Sequence, residues 1–351
     1  MKKILSTLLV LLLLVAFGLA GCTKPIPQDV QPSGGETEAS EAPIKAALVV
    51  AGGLGDRSFY DSANEGIERA KKELGVEAKV LECRNDPSLF NDQLIQASQY
   101  GSVVVVVGFE FYDAIQEVAP EFPDVNYIYV DNVVEEISNI TCIDYMENEG
   151  SFLAGAMAAL LTQDTTIEGI NKEKVIGMVG GMDISVIRNF KVGYEEGAKY
   201  IDPEIRVETI FAGDFEDPAK GKESALALYA KGADIVFQVA GKTGEGVFEA
   251  AKDSKQFAIG VDSDQRYINP DVIVASMTKG VGLSIFESIQ KIQEGTFAPG
   301  SVYRYGIKEN GVGIAYGTPD MKQFVSEEVK TKIEGLKEKI VSGEIKVTEI
   351  Q

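Results

Sequence analysis

The sequence predicts an α/β protein with two lobes, each built on a doubly wound parallel β-sheet. Apolar runs of strand length alternate with helical segments from residue 44 almost to the end of the chain, which is the pattern of consecutive βα units. Residues 103–107 are five consecutive valines, as is typical of a parallel strand that is buried on both faces. A length of 351 residues is enough for two domains.

The first block of βα units begins at Ile44. A helix is predicted from Ser58, which can cap it, to Leu74, and Gly75 ends it. The other elements of this block are strands at 46–50, 80–81, 103–107, 127–130 and 141–143, and helices at 88–100 and 149–161.

The alternation restarts at Val175. A strand, a Gly-Gly turn and a helix follow one another at 49–66 and again at 178–197. The first units of the two α/β blocks are therefore either copies of one unit or similar by chance. The later elements are strands at 175–179, 207–211, 235–239, 257–261 and 272–276, and helices at 184–200, 280–294 and 321–342.

In a two-lobed protein of this kind the chain passes between the lobes more than once. We expect passages near Ile143, Met277 and Ile307. The expected lobes are residues 44–143 plus 279–306, and residues 144–278 plus 307–351. The sequence shows no apolar core shared by the lobes, so hinge closure on a ligand is expected.

The N-terminus indicates export and lipidation. Residues 1–21 combine a charged start, a short apolar run and small residues, as a secretory signal does, and the run is too short for a stable membrane span. Leu19-Ala-Gly-Cys22 resembles a bacterial lipobox, with a plain signal peptide as the alternative. Residues 22–43 then form a flexible tether rich in Pro and Glu, and Cys22 would anchor the protein on the outer face of the cell membrane.

Composition excludes several classes of function. A net charge of −21 argues against nucleic-acid binding, which needs clusters of Lys and Arg. The sequence contains no histidine, which removes His-based catalytic triads and common zinc sites. Gly241-Lys-Thr243 lacks the earlier glycine of a phosphate-binding loop, because Val236 stands there. We therefore expect no enzyme, no cofactor and no metal site.

Two other cysteines, Cys83 and Cys142, lie within apparent strands. We interpret them as buried thiols, although a disulfide between them is compatible with the sequence.

Candidate binding residues lie where predicted strands end, which is the edge of an open α/β sheet that usually receives ligands. Gly241 allows close approach of its backbone to a ligand, and Asp262 can accept hydrogen bonds from two vicinal hydroxyls. Phe59 opens the first helix, and Phe215 lies in a polar turn, so both rings are candidates for stacking. Phe190 competes for that role, but we expect it to pack in the core.

Several segments resemble the basic membrane lipoprotein (BMP) family, the PnrA-like nucleoside-binding lipoproteins of ABC importers. They are Gly52-Gly-Leu-Gly-Asp-Arg-Ser-Phe59, Phe215 with the following Asp-Pro-Ala-Lys, residues 233–241 and Gly260-Val-Asp-Ser-Asp-Gln265. The resemblance covers nearly all of residues 44–320. It implies a fold of the type I periplasmic-binding-protein class and adds three site residues, namely Asp56, Asp131 and the ribose-side lysine Lys279.

The resemblance implies a binding protein for purine nucleosides that works with ABC permease and ATPase subunits. Phe59 and Phe215 would hold the base, while Asp262 and Lys279 would hold the ribose. Tyr60 and Lys242 depart from the family pattern, where Asn and Gly are usual, and both flank the expected pocket. The alternatives are the same fold binding a sugar or signalling molecule, or a ligand sensor for a membrane receptor.

Overall fold

The protein is described by a computed structural model over residues 43–350. The predicted signal segment, Cys22 and almost the whole tether lie outside the described residues. No helix within 43–350 is both long enough and apolar enough to cross a membrane.

The described chain forms two six-stranded sheets. In chain order, the strands of the first sheet are β1 (Lys45–Val50), β2 (Glu77–Glu82), β3 (Val103–Val107), β4 (Asn126–Val130), β5 (Ile140–Tyr145) and β11 (Val302–Tyr305). Those of the second sheet are β6 (Val175–Gly180), β7 (Arg206–Phe211), β8 (Ala233–Val239), β9 (Phe257–Asp262), β10 (Ile273–Lys279) and β12 (Val312–Ala315).

Nearly all strand pairs are parallel, which confirms the predicted fold class. The first sheet has the order β11-β5-β4-β3-β1-β2 and is parallel throughout. The five valines of β3 are fully buried between β1 and β4, because helices cover both faces of this sheet. The second sheet has the order β12-β10-β9-β8-β6-β7, and its one antiparallel pair joins β12 to β10.

The two sheets repeat one topology. The order 2-1-3-4-5 of the first five strands recurs as 7-6-8-9-10 in the second sheet. The helices of the described chain are α1 (Phe59–Leu74), α2 (Phe90–Tyr100), α3 (Tyr112–Val118), α4 (Glu147–Leu161), α5 (Ser185–Ile201), α6 (Pro218–Ala230), α7 (Gly244–Ser254), α8 (Val281–Gln293) and α9 (Glu327–Val341).

The chain passes between the sheets three times. After β5 it enters α4, which packs on α5 of the second lobe, and after β10 it enters α8, which packs on α1 of the first lobe. It crosses again between β11 and β12. The residue boundaries predicted for the lobes remain a prediction.

The expectation of no shared apolar core is wrong. One continuous cluster contains buried side chains of both sheets, among them Leu48, Val130, Met178 and Ile259. Its members come from strands as distant in the chain as β1 and β10, so the sequence pattern does not reveal that they share one cluster. Buried side chains of the two lobes therefore form part of one apolar cluster.

The last predicted helix begins later than expected, at Glu327 and not near Met321. Ser326 caps it by accepting a hydrogen bond from the Val329 N–H. Upstream, the fully buried Arg266 donates hydrogen bonds to the carbonyl oxygens of Tyr316 and Lys322. These carbonyl groups satisfy a buried guanidinium, which holds the segment before the helix in an irregular path.

Cys83 and Cys142 are both free and buried, which confirms the interpretation as thiols. Cys142 lies in β5, whereas Cys83 directly follows the end of β2. Burial raises the pKa of the Cys83 thiol to about 12, so this thiol is unreactive at neutral pH.

Candidate ligand-binding site

A cavity lies between the lobes, at the carboxyl ends of strands from both sheets. The empty space between its walls, including open solvent at the mouth, is about 670 Å³. All seven residues predicted from the sequence line it, namely Asp56, Phe59, Asp131, Phe215, Gly241, Asp262 and Lys279. The structure therefore brings together residues that follow or end six separate strands.

Asp56 holds the start of α1. Its carboxylate accepts hydrogen bonds from the backbone N–H groups of Ser58, Tyr60 and Asp61, at 2.9 to 3.1 Å. The predicted cap, Ser58, makes no capping hydrogen bond with its side chain, so that prediction is wrong. Burial raises the pKa of Asp56 to about 7, although these three hydrogen bonds lower it. Asp56 thus orients the helix start that carries Phe59.

Ser58 contacts the other lobe instead. Its hydroxyl donates a short hydrogen bond to Asp262, and the neighbouring carbonyl of Arg57 accepts bonds from Gln265 at 2.9 Å and Ser263 at 3.1 Å. These contacts connect the start of α1 with the turn after β9. They close the cavity on this side and occupy one oxygen of Asp262.

Lys279 is the centre of a buried ionic cluster. Its Nζ lies 2.5 Å from the carboxylate of Asp131 and 3.0 Å from that of Glu147, and only 2% of its side chain is exposed. Burial lowers the pKa of Lys279, but Asp131, Glu147 and Asp262 outweigh this and raise it above the usual value. The lysine is therefore a fixed cation that joins β10 of the second lobe to β4 of the first.

Burial raises the pKa of two acidic residues near Lys279, whereas it lowers that of the lysine. Desolvation raises the pKa of Glu147 and of Asp262, and the charge of Lys279 partly offsets the rise. Asp131 and Asp262 end equivalent strands of the two lobes, and both adopt left-handed backbone conformations, with φ of +71° and +63°. Such conformations are strained for residues other than glycine and concentrate at functional sites.

Three aromatic rings lie around the ammonium group of Lys279. The Lys279 Nζ lies 5.0 Å from the ring centroid of Phe59, 4.9 Å from that of Tyr145 and 5.6 Å from that of Phe190, within the range of cation–π contacts. Phe190 is 2% exposed, as its predicted packing role requires, yet it also lines the cavity. Phe190 therefore packs in the apolar core and also forms part of the cavity wall.

Phe215 lies over a glycine pair. A Cβ at Gly181 would approach its ring to 2.2 Å, so only glycine admits the ring there. Gly241 has φ +54°, and a Cβ there would lie 3.3 Å from the Phe215 carbonyl oxygen. The Thr243 N–H donates a hydrogen bond to that same oxygen at 3.0 Å. Both glycine turns therefore hold Phe215 in the cavity wall.

Sequence reasoning missed Tyr145, Glu147, Phe109 and Glu110. Glu147 opens α4 directly after β5, a position like that of Asp131 after β4, and this strand-end signal could have identified it. Phe109 follows β3 in the same way. Tyr60 and Lys242, which depart from the family pattern, both line the cavity. Within residues 43–350 no group of acidic or cysteine side chains is arranged to hold a metal ion.

The fold and the cavity define the class of protein. Two lobes of the same topology, crossed three times by the chain and enclosing a small-molecule cavity, are the architecture of periplasmic-binding-protein-type solute receptors. The solved structure of a solute-binding protein of an ABC transporter system from Aeropyrum pernix K1 matches with a TM-score of 0.80 and 28% identity, over 88% of this chain and 94% of that one.

The family follows from the sequence matches. Residues 44–351 match the Bmp family, described as "ABC transporter substrate-binding protein PnrA-like", and the chain belongs to it. It is 32% identical to the "ABC transporter nucleoside-binding protein BmpA" of Lactococcus lactis subsp. cremoris over 99% of both chains. It is 33% identical to "Basic membrane protein A" of Borreliella burgdorferi over 89% of this chain and 90% of that one. The protein is thus a solute-binding component of an ABC transporter system, a class that binds a small molecule and works with permease and ATPase subunits.

Proposed function

We propose that the cavity binds a purine nucleoside. The observation that carries the proposal is that the cavity offers two kinds of contact, aromatic rings and a buried ionic cluster around Lys279. A nucleoside has two matching parts, a flat base and a hydroxyl-bearing sugar. The printed name of the Lactococcus relative, a nucleoside-binding protein, supports the same ligand class.

Asp262 and Lys279 are assigned to the ribose. One oxygen of Asp262 accepts the hydrogen bond from Ser58, which leaves the other oxygen for a sugar hydroxyl. Lys279 has three donor hydrogens, and Asp131 and Glu147 position its ammonium group. Charge-assisted hydrogen bonds of this kind are roughly twice as strong as neutral ones, so the hydroxyls contribute strongly to the affinity.

Phe59 and Phe215 are assigned to the base. Phe59 belongs to the first lobe and Phe215 to the second, so a flat ring placed between them contacts both lobes at once. By analogy with base–aromatic stacking in nucleic-acid complexes, each stacked face contributes about 1–3 kcal/mol. Asp56 supports this end indirectly, because it fixes the first turn of α1.

We further propose that the protein is a lipoprotein of an ABC importer. Cys22 would carry the acyl chains, residues 1–21 would be removed, and residues 22–43 would tether the lobes to the outer face of the cell membrane. The lobes are proposed to be residues 44–143 plus 279–306 and 144–278 plus 307–351. This arrangement would deliver the solute to the permease.

Calorimetric titration tests the ligand assignment. Guanosine and adenosine should bind far better than guanine and adenine, since a site that pairs buried hydroxyls rejects ligands without them. Asp262→Ala should weaken nucleoside binding by about 2–4 kcal/mol, the range for loss of charge-assisted hydrogen bonds, and hardly affect the free bases. Phe215→Ala should weaken both ligand types alike. Asp271→Ala, at an exposed position outside the cavity, is the matched control.

A panel of monosaccharides in the same titration distinguishes the alternative ligand class. Aromatic rings beside a carboxylate also suit sugars. Saturable binding of a monosaccharide, with no response to any nucleoside, would contradict the proposal. Equal losses for nucleoside and free base in Asp262→Ala would refute the ribose assignment alone.

A further inference from the structure

Two phenylalanine–glutamate pairs meet at one end of the cavity. Phe109-Glu110 follows β3 of the first lobe, and Phe215-Glu216 follows β7 of the second. The ring centroids of the two phenylalanines are 6.5 Å apart, with an angle of 59° between the planes. All four residues line both the cavity and the outer groove that adjoins it. We name these four residues the Phe-Glu end.

Glu110 has unused hydrogen-bonding capacity. Its Oε2 is buried and has no hydrogen-bond partner among the residues that the structure describes. The side chain is confined, because a Cβ at Gly108 would lie 2.7 Å from this oxygen. Burial raises the pKa of Glu110, and the charge of Glu216 adds to the rise. A buried acceptor without a donor is costly, and a ligand donor would remove that cost.

Glu216 makes the same end more acidic. Its nearest cation is Lys242, whose Nζ is 3.8 Å away, and the lysine side chain is 43% exposed. A pair of this length and exposure compensates little of the charge. Glu216 also reaches across the cleft, since its Oε1 lies 3.0 Å from the place of a Cβ on Gly52. The side chains of this end therefore offer mainly acceptors.

The ionic cluster around Lys279 has a different character. There, a buried cation is paired with Asp131 and Glu147, so donors and acceptors are both present. A ligand that spans the cavity must therefore present hydrogen-bond donors at its base end. A carboxylate has two oxygens and binds two adjacent N–H donors in parallel.

We propose that Glu110, assisted by Glu216, selects a guanine-type base. The inference rests on the proposed nucleoside function. Guanine presents two adjacent donors, the N1–H and the 2-amino group, on one edge. Hypoxanthine keeps the N1–H and lacks the amino group, while adenine has an acceptor at N1. The specificity ranking is thus guanosine, then inosine, then adenosine.

Calorimetric titration of these three nucleosides tests the ranking. Wild-type protein should bind guanosine about 10-fold more tightly than inosine, the factor that corresponds to one charge-assisted hydrogen bond. Glu110→Gln keeps the shape of the side chain but replaces an acceptor by a donor. It should weaken guanosine binding at least about 10-fold and leave adenosine within about 3-fold of wild type.

Asp113→Asn is the matched control. Asp113 lines the outer groove and not the cavity, so its substitution should leave all three affinities unchanged. Glu216→Gln should also lower the guanosine-to-adenosine ratio, which provides a second variant if Glu110→Gln fails to fold.

Two results would overturn the inference and are distinguishable. Base selection would be refuted if the wild-type protein bound the three nucleosides with equal affinity. It would also be refuted if both glutamine variants kept the wild-type ratio of guanosine to adenosine affinity. Either result would leave nucleoside binding intact. Binding of none of the three would refute the proposed function itself.

Discussion

Substitution of Lys279 by methionine gives the sharpest test of the buried cluster. Methionine keeps most of the length of the side chain but removes the charge. Asp131 lies 2.5 Å from the ammonium group and Glu147 lies 3.0 Å from it, and 2% of the Glu147 side chain is exposed. Removal of one partner from a buried ion pair costs about 3–5 kcal/mol, because the other charge stays buried without compensation. We expect the free energy of unfolding to fall by about this amount.

Urea unfolding near neutral pH measures the loss. The comparison holds if the free energy of unfolding falls with urea concentration at the same slope in the variant and in the wild type. Lys308→Met, which removes an exposed lysine outside the cavity, is the control and should change stability by less than about 0.5 kcal/mol. Part of the loss should be restored as pH falls from alkaline values through the pKa of Glu147, which burial raises to about 8 in the wild type. In the variant the pKa of Glu147 is raised further above its unfolded value, so the folded protein takes up protons at higher pH and gains stability as pH falls.

A cost below about 1 kcal/mol would refute this account of the cluster, since it would fall outside the range for broken buried pairs. A loss that stays constant as pH falls would refute the proposed cause, because uncompensated carboxylates must titrate.

Three other perturbations test separate parts of the account. Gly181→Ala should displace the Phe215 ring, which a Cβ would approach to 2.2 Å, and weaken ligand binding at least about 10-fold; Gly335→Ala, where nothing lies within 4 Å, should leave titrations unchanged. Cys22→Ser should release the protein into the soluble fraction, and retention on membranes after a high-salt wash would contradict lipid anchoring. Small-angle scattering should give a smaller radius of gyration with nucleoside than without it, and an unchanged radius at saturation would argue against hinge closure.

The sequence predicted the strand-end residues of the cavity well. Lys279 was expected only from the family resemblance. Gly241 and Asp262 each follow or end an apolar strand, and parallel strands place such ends at one edge of a sheet. Phe59 was predicted for a related reason, since the first helix begins at that edge. These positions depend on short-range pattern and on topology, both of which are visible in the sequence.

Contacts between the lobes could not be predicted. Glu110 and Glu147 are single acidic residues at the starts of helical segments, where carboxylates commonly stabilise the helix dipole. The burial of Glu147 depends on a partner more than 100 residues away in the chain, Lys279. The hydrogen bond of Ser58 to Asp262 likewise replaces a local capping bond by a contact that requires the closed lobes.

A crystal structure of residues 44–351 with guanosine tests the central claim most directly. The account predicts ribose hydroxyls within about 2.6–3.2 Å of the Asp262 carboxylate and the Lys279 ammonium group, with the purine ring between Phe59 and Phe215. A purine ring placed against Lys279, or a nucleoside bound outside the cavity, would contradict it.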